Sequence, residues 1–134
     1  MPAKRTASPA CPCQSGLPYA DCCGRAHDGS RPPPTAEALM RSRYSAYALR
    51  LTDWLLATAH PSTRPESIDP AELAAAKWIG LQVLRHEQTG PDEAIVEFIA
   101  RCRVGGRASR LHETSRFVRE DGHWYYVDGD LHEG

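Results

Sequence analysis

Downstream of residue 78 the apolar and polar positions alternate with period two. IGLQVLRHEQ (79–88), DEAIVEFIARCRV (92–104), ASRLHETSRFVRE (108–120) and HWYYVDG (123–129) read as four strands. Gly105-Gly106 and Asp121-Gly122 lie between the last three, and both are two-residue signals for primed hairpin turns. Upstream the period lengthens: Met40, Tyr44, Tyr47 and Leu51 recur at spacings of four, three and four and line one face of a helix over about 36–50. Thr35 is its expected N-cap, with Glu37 in the first turn. A second helix is predicted from Thr52 or Asp53 to Ala59, ahead of Pro61, and a short third one opens at Asp69-Pro70. Helices followed by an antiparallel sheet of about four strands make an α+β domain.

The hairpins imply a register. With Gly105-Gly106 as the loop, Phe98 faces Glu113 and Val96 faces Ser115; with Asp121-Gly122, Phe117 faces Tyr126 and Ser115 faces Asp128. One sheet face then collects Val96, Phe98, Ala100, Leu111, Phe117, Trp124 and Tyr126, which the helices must cover, with Glu113, Ser115 and Asp128 among them. A carboxylate on a covered face is costly unless it is paired or borders a wet cavity. Arg43, about 60° from the centre of the apolar helix stripe, and Arg85 are the candidate partners. Arg43, Tyr44, Glu113, Ser115 and Asp128 therefore form a candidate pocket, read either as an ion pair in an ordered core or as the polar lining of a small-ligand site. The opposite face carries Arg101, Arg103, Arg110 and Arg116 but few aromatics on which bases could stack, so nucleic acid is not an expected partner.

Composition narrows the class. At 134 residues, 41% hydrophobic and 25% charged, the chain suits a globular domain with a real core, and its formal charge of −1 supplies no strong basic field. No apolar run approaches the ~20 residues that span a bilayer. MPAKRTASPA has no apolar leader segment, so the expected compartment is the cytoplasm, where thiols stay reduced.

That compartment bears on CPCQSGLPYADCCG, residues 11–24, where four of the five cysteines crowd together. Vicinal and C-x-C pairs make strained disulfides, and the C-x-x-C of thioredoxin-like redox sites is absent. Zinc has no such difficulty, because two short chelating turns joined by one loop can supply tetrahedral thiolates. The expected ligands of one zinc ion per chain are Cys11, Cys13, Cys22 and Cys23, with His27 the alternative to Cys23 as the fourth. Pro12 and the Ser15-Gly16 turn, with Gly16 at positive φ, shape the loop, and Gly24 is expected to release the chain after the last cysteine. Four protein ligands close the site, so the metal should support folding and not activate water. After it, DGSRPPPT (28–35) reads as a stiff extended spacer. The expectation is a disordered stretch over 1–10, a zinc knuckle over 11–27, a linker over 28–35 and a domain over 36–131 that folds without the cysteines.

The spacing C-x-C-x-S-G followed by C-C resembles the SEC-C motif, the zinc knuckle at the C-terminus of the SecA translocation motor. The sequence departs from that motif at Gln14, where Gly is usual, and at Leu17, where Lys is common. MRSRYSAY (40–47), HPS (60–62), WIGL (78–81), FIAR (98–101) and ETSRF followed by EDGHWYYVDG resemble the YchJ-like bacterial family. The resemblance implies an N-terminal SEC-C motif joined to a nuclear-transport-factor-2-like, or cystatin-like, cone of helices on a curved sheet. In SecA the knuckle contacts a protein, the SecB chaperone, so the resemblance implies docking to a protein partner. Two function classes follow: a non-catalytic adaptor or interaction module with a small-ligand pocket in the cone, or a small-molecule isomerase, dehydratase or hydrolase that uses a cavity carboxylate such as Glu113.

Overall fold

The structure, a computed structural model, describes residues 9–132. Residues 1–8, where most of the expected disordered stretch falls, lie outside the described residues. A 3-10 turn at Tyr19–Asp21 leads into α1 (Cys23–His27), followed by α2 (Ala36–Leu49), α3 (Thr52–Ala57) and α4 (Pro70–Ala75). The strands β1 (Ala76–Gly90), β2 (Glu93–Val104), β3 (Arg107–Glu120) and β4 (His123–Leu131) form one antiparallel sheet in the order β1-β2-β3-β4.

Local chemistry explains most of these boundaries. The Thr35 hydroxyl accepts from the Ala38 N–H at 3.0 Å and caps α2, and the Asp69 carboxylate accepts from the Ala71 N–H at 2.9 Å ahead of Pro70. Both hairpin turns are of the primed kind, with φ of +59° and +80° at Gly105-Gly106 and +52° and +79° at Asp121-Gly122. β1 carries three register shifts against β2, at Trp78/Gly80, Val83/Arg85 and Gln88/Gly90. Such irregularities bend and twist a strand, which is how a four-stranded sheet curls around the helices.

The predicted register holds for Phe98 opposite Glu113, Val96 opposite Ser115 and Phe117 opposite Tyr126. It fails one step later. A bulge leaves Val127 without a partner strand residue, so Arg116 faces Asp128 and Ser115 faces Gly129. One extra residue reverses which face every later side chain takes. Asp128 is therefore on the outer face, bonded to Arg116 at 2.6 Å, and is not a pocket residue.

The main core lies between α2 and the inner sheet face, where Leu39, Met40 and Tyr44 meet Val96, Phe98, Phe117 and Trp124. Cys11, Cys13 and Cys23 belong to the same cluster. The knuckle is thus packed on α2 and not tethered at a distance by an extended spacer. Ser42 and Ser45 make this approach feasible. Both are buried on α2, small enough to admit the knuckle, and their hydroxyls meet the Trp54 indole N–H at 3.0 Å and the Cys11 sulfur at 3.5 Å. A smaller cluster of Ala46, Leu55 and Leu73 holds α3 and α4 to α2.

Candidate metal centre and adjoining cavity

Two turns build the cysteine cluster. The first is closed by the Cys11 N–H donating to the Leu17 carbonyl at 2.9 Å and the Gln14 N–H to the Cys11 carbonyl at 3.1 Å, with Gly16 at φ +90°. The second ends with the Cys22 N–H on the Tyr19 carbonyl at 3.0 Å, and α1 begins at the next residue. The four sulfurs lie within 4.8 Å of one another, and those of Cys13 and Cys22 are 3.6 Å apart. None is in a disulfide. Tetrahedral Zn–S bonds of ~2.3 Å put sulfurs about 3.8 Å apart, whereas a disulfide needs ~2.05 Å. The donor set is thus compatible with a metal site.

Its surroundings also suit concentrated negative charge. The Ser15 hydroxyl lies 3.1 Å from the Cys22 sulfur, and the Arg41 guanidinium donates to the Cys13 carbonyl at 2.8 Å. Thiol hydrogen bonds from Cys13 and Cys23 push the Cys11 thiol down, and the contact with Cys11 pushes Cys13 and Cys23 up. One thiolate stabilised at its neighbours' expense is the behaviour of a crowded set that a divalent cation would let ionise together.

His27, the alternative fourth donor, is engaged elsewhere. The Ser42 carbonyl 2.8 Å from Nε2 can only accept, so Nε2 carries the proton and Nδ1 accepts from the Tyr19 hydroxyl at 2.6 Å. Burial holds the ring's pKa down and keeps it neutral. Its one lone pair is taken, so His27 fastens the knuckle to α2. Gly24 also differs from expectation. The chain does not leave the knuckle there but continues into α1, and a Cβ would come within 2.6 Å of the Tyr19 carbonyl oxygen.

Gln14 explains its own departure from the motif. Its φ is +64°, the left-handed conformation that Gly adopts freely and that costs other residues roughly 1–2 kcal/mol. In return the side-chain amide reaches β1, where Nε2 donates to the Ile79 carbonyl and Oε1 accepts from the Leu81 N–H, each at 3.4 Å. Both contacts fall beside the Trp78/Gly80 irregularity, where ladder bonding is interrupted. Gln14→Ala keeps the strained backbone and removes both contacts, so it should destabilise the protein by about 1 kcal/mol in denaturant unfolding; unchanged stability would show that the amide contributes nothing.

A cavity of about 280 Å³ separates α2 from the inner sheet face. Tyr44, Tyr47, Trp78 and Phe98 give it aromatic walls, and Glu113, Ser115, Arg43 and Tyr126 supply its polar groups. Glu113 Oε2 accepts from the Ser115 hydroxyl at 2.6 Å and from the Tyr126 hydroxyl at 3.3 Å. Burial, reinforced by the Glu113 charge, pushes the Tyr126 phenol up, so it remains a donor. Arg43 does not pair with Glu113 directly. It donates to the Leu55 carbonyl at 2.9 Å and the Thr58 hydroxyl at 2.6 Å, and its guanidinium lies 4.7 Å over the Tyr126 ring. Of the five expected pocket residues, Arg43, Tyr44, Glu113 and Ser115 surround the cavity and Asp128 does not. Tyr126 was legible as an inner-face residue opposite Phe117, but its bond to Glu113 depends on strand curvature that the sequence does not show.

Comparison with known proteins follows this division. The family described as YchJ, middle NTF2-like domain, matches residues 35–129, and the SEC-C motif matches residues 10–25. A UPF0225 protein of Chromobacterium violaceum is 60% identical, covering 96% of this chain and 98% of that protein. A UPF0225 protein of Bordetella pertussis is 53% identical, again covering 96% and 98%. The solution structure of a SEC-C motif containing protein from Rhodopseudomonas palustris superposes with a TM-score of 0.82 at 37% identity, over 92% of this chain and 98% of that one. The crystal structure of a SEC-C motif containing protein from Psychrobacter arcticus gives 0.77 at 30% identity, over 92% and 83%. Among the described residues no helix is long and apolar enough to cross a membrane.

Proposed function

The chain belongs to the YchJ-like, SEC-C-bearing UPF0225 family, and from that premise we propose that it is a non-catalytic zinc-binding interaction protein that works in the reducing cytoplasm. Cys11, Cys13, Cys22 and Cys23 hold one zinc ion. The observation that carries this reading is the convergence of four sulfurs, none in a disulfide, within 4.8 Å of one another, with His27 engaged elsewhere. A four-thiolate ion has no position for water, so it acts as a crosslink and its chemistry ends there. What the crosslink presents outward is the Gln14-Ser15-Gly16 turn with Leu17, which is 49% exposed. An apolar side chain at the tip of a rigid loop is a natural anchor for a protein partner.

The cavity adds a place for a small ligand. At about 280 Å³ it falls just short of the usual ligand-pocket range of about 300–1,000 Å³ and suits only a small occupant, with mostly apolar walls and one carboxylate to orient it. Turnover by Glu113 has less support. Its Oε2 is already held by the Ser115 and Tyr126 hydroxyls.

Metal analysis of freshly purified, reduced protein should find one zinc per chain, and Leu17→Asp should retain that zinc while losing a partner that immobilised wild type captures. Protein free of zinc would refute the metal assignment. Equal capture by wild type and variant would refute docking through the knuckle.

A further inference from the structure

The outer face of the sheet brings together three donors, two from neighbouring strands and one from the residue that follows β4, on the side opposite the cavity. Glu97 on β2 and His112 on β3 share that face, with Glu97 Oε2 2.7 Å from His112 Nε2. The chain leaving β4 continues the ladder by one bond, the His132 N–H to the His112 carbonyl at 2.8 Å. This stacks the His132 ring on that of His112, with centroids 4.1 Å apart and planes 15° from parallel. One ligand atom from each of Glu97, His112 and His132 then lies within 4.8 Å of the other two.

We propose that Glu97, His112 and His132 form a second metal site, open to solvent, that takes a first-row divalent ion such as zinc. Two imidazoles and a carboxylate suit these ions and not calcium or magnesium, which require oxygen shells. Bonds of ~2.0–2.1 Å at octahedral to tetrahedral angles separate neighbouring donors by about 3.0–3.4 Å. The Glu97–His112 contact therefore opens by a few tenths of an ångström, and the His132 ring must turn out of its stack on His112, because the in-plane lone pairs of parallel rings do not converge on one ion. Supporting contacts are in place. Thr114 Oγ1 lies 2.7 Å from His132 Nε2 and steadies that ring. Arg85 Nε approaches the other Glu97 oxygen, Oε1, at 3.7 Å while its NH1 bonds Glu87, so Oε2 stays available for the ion. Three protein ligands leave positions for water, in contrast to the closed knuckle, and binding pins the end of β4 to β3.

The test uses full-length protein with its knuckle metal already in place, titrated with zinc chloride alone by calorimetry and by NMR of the histidine rings. One further, weaker equivalent is expected, and it should shift the His112 and His132 ring signals while leaving those of His60, His86 and His123 in place. His132→Ala and Glu97→Gln should each weaken that equivalent about tenfold or more without changing the retained knuckle metal. The proposal is overturned if no further equivalent binds, if other histidines shift instead, or if the added equivalent keeps its affinity in both variants. The ring spectra of wild type decide the matter even if a variant folds poorly.

Discussion

Cys13→Ser should lower the stability of the whole chain by at least about 3 kcal/mol, in a single cooperative transition, and should not unravel residues 11–27 alone. Cys13 is fully buried, and three of the four clustered cysteines lie in the core that includes Leu39, Met40, Phe98 and Phe117. Under the proposed zinc assignment its sulfur has two tasks, to ligate metal and to fill space against α2. Structural zinc contributes about 10–16 kcal/mol in peptides that fold around it, and a domain of this kind has only about 5–15 kcal/mol in total. Even a fraction of that coupling consumes much of the margin. Thermal unfolding followed by circular dichroism and tryptophan fluorescence, with metal content measured on the same sample, reads the effect. Trp54 lies beside the knuckle while Trp78 and Trp124 report on the sheet, so coincident transitions are expected. A variant whose sheet melts as in wild type while the knuckle is lost would restore an autonomous module.

Gly24→Ala should cost about 2 kcal/mol and weaken metal retention about tenfold, although alanine is the better helix former by about 1 kcal/mol. Space decides the sign. The added methyl would lie 2.6 Å from the Tyr19 carbonyl oxygen and 3.0 Å from its ring, and a backbone atom cannot swing aside as a side-chain tip can. That carbonyl also accepts the Cys22 N–H, and the Tyr19 hydroxyl holds His27. Relief of the contact therefore moves Cys22, a ligand in the proposed site, and a knuckle fastener together. Competition with a colourimetric zinc chelator gives the retention, and denaturant unfolding gives the stability. A variant equal to wild type in both would show that α1 can shift without disturbing the sulfurs.

These two positions mark where reading along the chain stopped being sufficient. The elements were legible because their signals are local: period two from Trp78, the helical stripe through Met40, Tyr44 and Tyr47, Thr35 and Asp69 at caps, and two turns that need positive φ. The cysteine cluster was legible for the same reason, since its four sulfurs fall within thirteen consecutive residues. Glu113 opposite Phe98 followed from one hairpin of known loop length.

Asp128 was misplaced because a bulge depends on what the strand packs against. β4 bulges just after Tyr126, where the Thr58 carbonyl and His60 N–H bond its backbone at 2.9 and 2.8 Å from a distant part of the sequence. Gly24 and His27 have their roles from Tyr19 and Ser42, and Cys11 meets Ser45 across 34 residues. The sequence by itself thus determined the elements, the hairpin registers up to the first irregularity and the donor cluster, because backbone preference and side-chain period are properties of neighbours. Only the tertiary structure decided that the knuckle shares the core, which residue fastens it and which carboxylate faces the cavity, because those outcomes are set by close packing between segments far apart in the chain.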